Sequence, residues 1–344
     1  MQKFRITILA FILLGVFAGL APVVSAAPPG HRKQPPLQES DGYLAVGAGP
    51  FIGDTSYRIN ISDPSTGAAV ESELAFPLDT YQLTLEGGCI TKDRRGRDLW
   101  KISFSFSTDI SAASGKLQDS DWLSDAADIA LVGTAHPGKD IYSESSVDLN
   151  ARVYDLRITR NTWVSDSLSL GPFAGYLYQS FDFTARDLHQ VGYGPYSPPP
   201  PSGFTMTIPG KVLTYEVTYT LPYAGLHTEM PAGDWFRMAL DLGYSPWVKA
   251  EDEDDHVLRT KKAKGTTSGS AWLASLTAQW SLEDNNSISL KGEYRKINTR
   301  GSQTQYWYGN ADAPYASAGD VIPGISDRIT SSQLSVILLA TSRF

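Results

Sequence analysis

The chain has 344 residues and a net charge of -8, enough length for one or two domains with a sizeable buried core. Hydrophobic residues make up 42% and charged residues 19%. That composition excludes a disordered chain, and the acidic balance argues against a nucleic-acid partner, which would call for a basic patch. A single cysteine, Cys89, excludes a disulfide framework and a Cys-ligated zinc site.

The first 26 residues read as an export signal. Lys3 and Arg5 supply the positive start, an apolar run extends from Ile6 to Leu20, and Val24-Ser25-Ala26 ends it with small residues. This is the pattern of a cleaved secretory peptide, with the cut after Ala26. Residues 27–40 are polar and proline-rich and read as a flexible lead-in. No later stretch is apolar for long enough to form a transmembrane helix.

From residue 41 to 344, period-two alternation dominates. Trp100, Ile102, Phe104 and Phe106 alternate with Lys101, Ser103 and Ser105. Val147, Leu149, Ala151 and Val153 alternate with Asp148, Asn150 and Arg152. Tyr215, Val217, Tyr219 and Leu221 alternate with Glu216, Thr218 and Thr220. Segments of this kind fall near 43–58, 72–87, 98–109, 143–159, 167–186, 211–226, 234–251, 265–281, 286–300 and 329–344, roughly ten strands, an even number as a single-chain bacterial barrel requires. The last runs Leu334, Val336, Leu338 and Ala340 to a terminal Phe344.

A soluble sandwich would turn its apolar faces to a partner sheet. A membrane barrel would turn them to lipid and its polar faces to the lumen. Full charges on the polar faces (Lys101, Arg152, Glu216, Arg237, Lys291, Glu293, Arg295) and the aromatic C-terminus favour an all-β, ten-stranded antiparallel outer-membrane barrel. Its connections alternate short and long, which places the long loops outside the cell. The Pro198–Pro201 run reads as a stiff loop tip. No internal repeat or second domain is visible.

Two acidic clusters stand out in the expected long loops: Asp119-Ser120-Asp121-Trp122 and Asp252-Glu253-Asp254-Asp255-His256. In an extended segment, residues i and i+2 share a face, so Asp119 can point with Asp121, and Asp254 with His256. Facing each other over a barrel mouth, the two pairs suit hydrolysis by an activated water. His256 would be the base, Asp254 would fix its tautomer, and Asp119 and Asp121 would hold the water while sharing a proton. The bland alternative is a solvated acidic surface or a loose calcium site, although the glycine and distal glutamate of a helix–loop–helix calcium loop are lacking.

In these motifs the chain resembles the omptins, outer-membrane endopeptidases built as ten-stranded barrels with the active site at the outer mouth. Asp119-x-Asp121-Trp122 is similar to the family's catalytic carboxylate pair, and Asp254-x-His256 to its Asp–His pair, preceded by Trp247-Val248. Flanking similarities include His136-Pro137, Val147-Asp148-Leu149-Asn150, Phe183-Thr184-Ala185-Arg186 and Pro222-Tyr223-x-Gly225-Leu226. The resemblance implies an aspartic-type endopeptidase in a bacterial outer membrane, with its site on the extracellular side. It implies a peptide or protein substrate, no cofactor or metal, and a monomer.

The resemblance also marks departures. The glutamate with which omptins receive a basic substrate side chain corresponds to Tyr57. That leaves Asp252 as the main acid, with Asp54 as a nearby substitute, and implies weak discrimination for basic residues. The acid of the neighbouring pocket falls near Val132, which carries no charge. Two lipopolysaccharide-binding arginines correspond to Ser180 and Thr218. These losses keep a second reading open, a catalytically silent barrel acting as an adhesin or structural surface protein. A passive porin is the third.

Overall fold

The computed structural model describes residues 40–344 apart from residues 64, 195–204, 234, 284 and 314–315. The export signal, nearly all of the lead-in and the Pro198–Pro201 run lie outside the described residues. The described chain is almost wholly antiparallel sheet. In order it forms β1 (Ser40–Ser62), β2 (Ala69–Pro77), β3 (Thr80–Lys92), β4 (Asp98–Asp109), β5 (Lys116–Leu123), helix α1 (Asp125–Val132) and β6 (Ile141–Arg160). There follow β7 (Thr162–Ser165), β8 (Leu168–Gly192), β9 (Thr205–Pro231), β10 (Phe236–His256), β11 (Lys261–Glu283), β12 (Asn286–Trp307) and β13 (Val321–Arg343).

These segments close into a ring of ten strands. The seam is β1 against β13, in register from Tyr43↔Arg343 to Asn60↔Ser326. The lower half of the wall runs β1–β3–β4–β6 and the upper half β1–β2–β5–β6. Two wall strands are thus each split in two, the first at Pro77-Leu78-Asp79 and the second between Asp109 and Lys116. Among the described residues no helix is long and apolar enough to cross a membrane.

Each long strand reverses its polarity part-way along. On β6 the inward residues are Val147, Leu149, Ala151 and Val153 in the upper half, then Asp155 and Arg157 below. Its outward residues are Asp148, Asn150 and Arg152 above, then Tyr154, Leu156 and Ile158 below. On β9, Tyr215, Val217, Tyr219 and Leu221 are buried inside, followed by His227 and Glu229, while Glu216 and Thr218 give way on the outside to Leu226. The alternation therefore has two meanings. Below, apolar side chains face outward as the girdle of a membrane barrel, with Leu44, Leu85, Leu240, Leu242, Trp272, Leu276 and Leu338 exposed. Above, the wall stands clear of lipid and packs its apolar face inward like a soluble barrel.

This corrects the expectation that every apolar face meets lipid. Val147–Val153 and Tyr215–Leu221 are interior, and Arg152 and Glu216 lie on the outer surface. The expected lumen charges Lys101, Arg237, Lys291, Glu293 and Arg295 do sit inside. They are neutralised by ion pairs: Arg157–Asp241 at 2.5 Å, Lys291–Glu293 at 2.8 Å, Arg237–Glu229 at 2.8 Å and Lys101–Glu86 at 3.3 Å. Above them lies an aromatic core in which Phe76 stacks on Tyr215 with centroids 4.4 Å apart, beside Tyr57, Phe181 and Phe183. Paired charges of both signs line a cavity in the lower lumen, and aromatic rings pack above it, an arrangement that argues against an open pore.

A closed barrel has no free sheet edge and resists detergent until heated. Unboiled and boiled samples should therefore run at different positions on a detergent gel. Identical migration would contradict the closed ring.

Candidate functional site

The acidic motifs lie in the wall of the upper barrel and not in loops, which corrects the expected loop placement. Asp119 and Asp121 are on β5, where Leu74↔Asp119 and Ser72↔Asp121 face β2 and Asp119↔Ser143 faces β6. The end of β5 is pinned. The Leu123 backbone N–H donates to Asp140 Oδ2 at 2.7 Å, and the Asp140 N–H donates to the Asp121 carbonyl at 2.9 Å. Ser124 then caps α1, and Gly133, in the left-handed region at φ 80, ends it.

Asp252, Asp254 and His256 form the upper end of β10, and a β-bulge decides which way they point. Between Ser245 and Val248 the strand carries one residue more than its neighbours: Ser245↔Ala271 and Val248↔Gly269 on β11, Tyr244↔Ala224 and Lys249↔Thr220 on β9. Below the bulge the odd-numbered residues face in, Asp241 and Ser245 among them. Above it the even-numbered ones do: Val248, Ala250, Asp252 and Asp254. An extra residue in one strand of a pair shifts its side chains to the other face. Without the bulge Glu251, Glu253 and Asp255 would line the lumen, and the Asp–His pair would face solvent. Trp247, at the bulge, is thrown outward and is 74% exposed.

The two pairs meet across the mouth. His256 Nε2 is 2.8 Å from Asp254 Oδ2, so the neutral imidazole donates through Nε2 and keeps Nδ1 as its proton acceptor. The charge of Asp254 acts on Asp119, and that of His256 on Asp121. The four residues therefore share one electrostatic neighbourhood. His136 is elsewhere, 3.1 Å from Asp140, and His189 lies on the exposed surface beside Thr207.

Three residues join the site that sequence reasoning assigned otherwise or missed. Tyr57 was expected as the neutral replacement for a pocket acid. It is buried in the aromatic core, and its hydroxyl donates to Asp254 Oδ2 and lies 3.5 Å from His256 Nε2. It thus holds the Asp–His pair from below. Lys261, the cross-strand neighbour of His256, is buried, and burial lowers its ammonium to about 8. Arg259 sits in the turn between β10 and β11, where Nε is 3.0 Å from both oxygens of Asp312. The contacts of Tyr57 with Asp254 and of Arg259 with Asp312 join segments distant along the chain, and the pairing of Lys261 with His256 depends on the register of the β10–β11 hairpin, so the local sequence pattern did not mark them. Asp54, considered as a substitute pocket acid, is on the exposed outer face and cannot serve the lumen.

The electrostatics assign the protons. Burial pushes the Asp119 carboxyl well above the ordinary aspartate range, and the charge of Asp121 adds to it. Asp121 is also raised by burial, offset in part by a hydrogen bond from Ser72. These are the conditions under which a carboxylate pair shares a proton. His256 shifts opposite to the upward direction that its carboxylate neighbours alone would impose. Burial lowers it, with Lys261 and Arg259 adding to the effect, and together they outweigh the attraction of Asp254.

The sequence profile of the omptin family matches residues 88–328. The chain belongs to the omptin family. It is 25% identical over 223 residues to the plasminogen activator of Yersinia pestis, a match covering 64% of this chain and 67% of that one. It is 24% identical over 226 residues to protease 7 of Escherichia coli O157:H7, covering 62% and 66%. The matched region spans about two thirds of each relative's length. Among solved structures, the outer membrane protease OmpT of Escherichia coli superposes with a TM-score of 0.68 at 17% identity, covering 88% of this chain and 97% of that one. That likeness supports the fold, and with family membership it makes the ring an outer-membrane barrel.

A depressed histidine has a definite sign. His256 should remain neutral below the free-histidine value of about 6.5. Its contribution to folding stability is then full above that value and is lost as pH falls through the lower, folded value. NMR titration of the His256 ring in refolded protein should give a midpoint below the free value, and a midpoint above it would mean that Asp254 outweighs burial.

Proposed function

We propose that this omptin is an outer-membrane endopeptidase that hydrolyses peptide bonds of extracellular peptides or proteins through an activated water. The observation that supports this reading is that Asp119 and Asp121 lie near enough to the Asp254–His256 pair for their charges to interact; the reading takes this end of the barrel as the outer one. The protease names of its relatives support it.

In this reading the neutral His256 takes a proton from water through Nδ1 as the water attacks the carbonyl carbon. It returns that proton to the leaving amine. Asp254 fixes the tautomer and stabilises the imidazolium formed during the step, and the Tyr57 hydroxyl keeps the Asp254 carboxylate in place. Asp119 and Asp121, sharing one proton, bind the water from the other side and offer an O–H to the oxygen on which charge develops. The barrel supplies rigidity: each acting group is on a hydrogen-bonded strand, and none depends on a free loop.

His256→Ala should lower turnover of a susceptible peptide by roughly 10²–10⁴-fold, the usual contribution of a general base. Asp254→Asn, Asp119→Asn and Asp121→Asn should each reduce it, with the heat-dependent gel shift retained. His189→Ala is the control. Hydrolysis undiminished by His256→Ala would sink the mechanism. Wild-type protein inert toward a degenerate peptide library across about pH 5 to 9, the range spanning histidine and its shifts, would favour the silent surface barrel.

The outer wall bears on the lipid requirement. Ser180 and Thr218 are cross-strand partners on β8 and β9, and neither can reproduce the bidentate, charged grip of arginine on phosphate. Refolded protein should therefore act on peptide with little dependence on added lipopolysaccharide. Strong stimulation would reveal phosphate contacts elsewhere on the rim.

A further inference from the structure

One charged group at the site, Lys261, has no task in activating the water. The hairpin between β10 and β11 turns through Val257–Arg259 and closes at Thr260, a β-branched residue held at φ 48 in the left-handed region. The Thr260 carbonyl accepts from the Tyr308 N–H at 2.9 Å. This turn sets the register in which His256 pairs with Lys261 and Asp254 with Ala263. Cross-strand partners share a face, with Cβ atoms about 5 Å apart, so Lys261 stands on the inward face beside the His256 ring.

The lysines of this hairpin have opposite surroundings on its two faces. Outside, Lys262 is 3.3 Å from Glu253 and 3.5 Å from Asp255, and Lys264 is 3.0 Å from Glu253. Inside, Lys261 is 4% exposed, and among the described residues its ammonium has no ion pair and no hydrogen bond. The acids nearest in charge are committed elsewhere. Asp254 Oδ2 is engaged by Tyr57 and His256, and Asp312 by Arg259 and by the Trp307 indole N–H at 2.7 Å. A lysine that only balanced charge would rest on a carboxylate, because an unpaired buried charge is costly.

That unpaired charge reaches every acting group. It acts on Asp119 and Asp121 of β5 and on His256 of β10, and it feels Asp254. Arg259 in the turn and Asp312 beyond β12 are the other charged groups that act on it. An anion arriving between the carboxylate pair and the Asp–His pair would supply the partner that Lys261 lacks. Hydrolysis forms one there. As the water oxygen bonds to the carbonyl carbon, the π pair moves onto the carbonyl oxygen.

We propose that Lys261 is a further catalytic residue, whose ammonium donates a hydrogen bond to the carbonyl oxygen as that oxygen becomes anionic. The inference rests on the endopeptidase reading and adds a charged donor to the O–H of the Asp119–Asp121 pair. His256 takes the water proton, and Lys261 keeps its own. The C–N bond breaks when the π pair re-forms and His256 returns its proton to the amine. A donor already in place stabilises the developing charge without reorganisation during the step.

The test follows kcat and KM against pH for full-length refolded protein on one susceptible peptide. In wild type, kcat should fall as pH rises through about 8, where Lys261 loses its charge. Lys261→Met should lower kcat by roughly 10²-fold with little change in KM, and it should lack that alkaline fall. Lys261→Arg, whose guanidinium stays charged, should keep more activity and hold it to higher pH. Lys262→Met, on the outer face, is the control. Undiminished kcat in Lys261→Met would overturn the assignment and leave the hydrolase reading intact. So would an alkaline fall unmoved by either substitution, which would trace it to the shared proton of Asp119 and Asp121. Binding of a peptide phosphonate, whose anionic oxygen stands for the oxyanion, serves if wild type cleaves nothing or if Lys261→Arg does not fold. Wild type should bind it more tightly than Lys261→Met does, and equal binding or none would overturn the proposal.

Discussion

Closure of the sheet governs the molecule. In lipid an unpaired backbone N–H or C=O costs several kcal/mol (about the loss of a hydrogen bond without water to replace it), so β1 must find β13. Their register, continuous for most of both strands, joins residues that lie almost 300 positions apart in the chain. With the edges removed, the wall becomes rigid enough to carry side chains above the membrane. The same closure places Asp327 of β13 beside the strands that hold Asp252 and Asp254.

The reversal of polarity along each strand follows from two solvents acting on one tube. Where the wall touches lipid, apolar side chains belong outside, and the charges inside must neutralise one another. Where it touches water the preference inverts, and Tyr215, Phe76 and Phe183 stack inside. That upper aromatic core is buried, and burial governs the site chemistry. Burial keeps His256 neutral and raises Asp119, Asp121 and Asp252, while Lys261 loses part of its hold on a proton. In an exposed loop of the same composition the acids would remain ionised and the histidine would be drawn towards its charged form.

Tyr57 and Asp327 show how one position can change meaning when the fold is seen. A tyrosine in place of an acid reads as a lost contact for a basic substrate. In space its hydroxyl serves Asp254, and its ring lies 5.2 Å from Tyr215. The aspartate between two isoleucines on β13 reads as one polar position in an alternating strand. In space it shares with Asp252 the gap left by Gly265 of β11.

Much was legible in the sequence because it depended on local periodicity. Alternation gave the strand number, the all-β class and the closing aromatic. The i, i+2 spacing put Asp119 with Asp121 and Asp254 with His256 on common faces, and the motifs carried the family. What periodicity could not convey was which solvent each face would meet, since lipid outside and a buried core inside both demand alternating apolar residues. Nor could it show that one extra residue at Ser245–Val248 exchanges the faces of β10, or that Asp119 and Asp121 belong to a wall strand. The bulge is defined by pairing with β9 and β11, and the environments of Tyr57 and Asp327 by strands far apart in the chain. Those contacts come into existence when the barrel closes, so only the tertiary structure decided them.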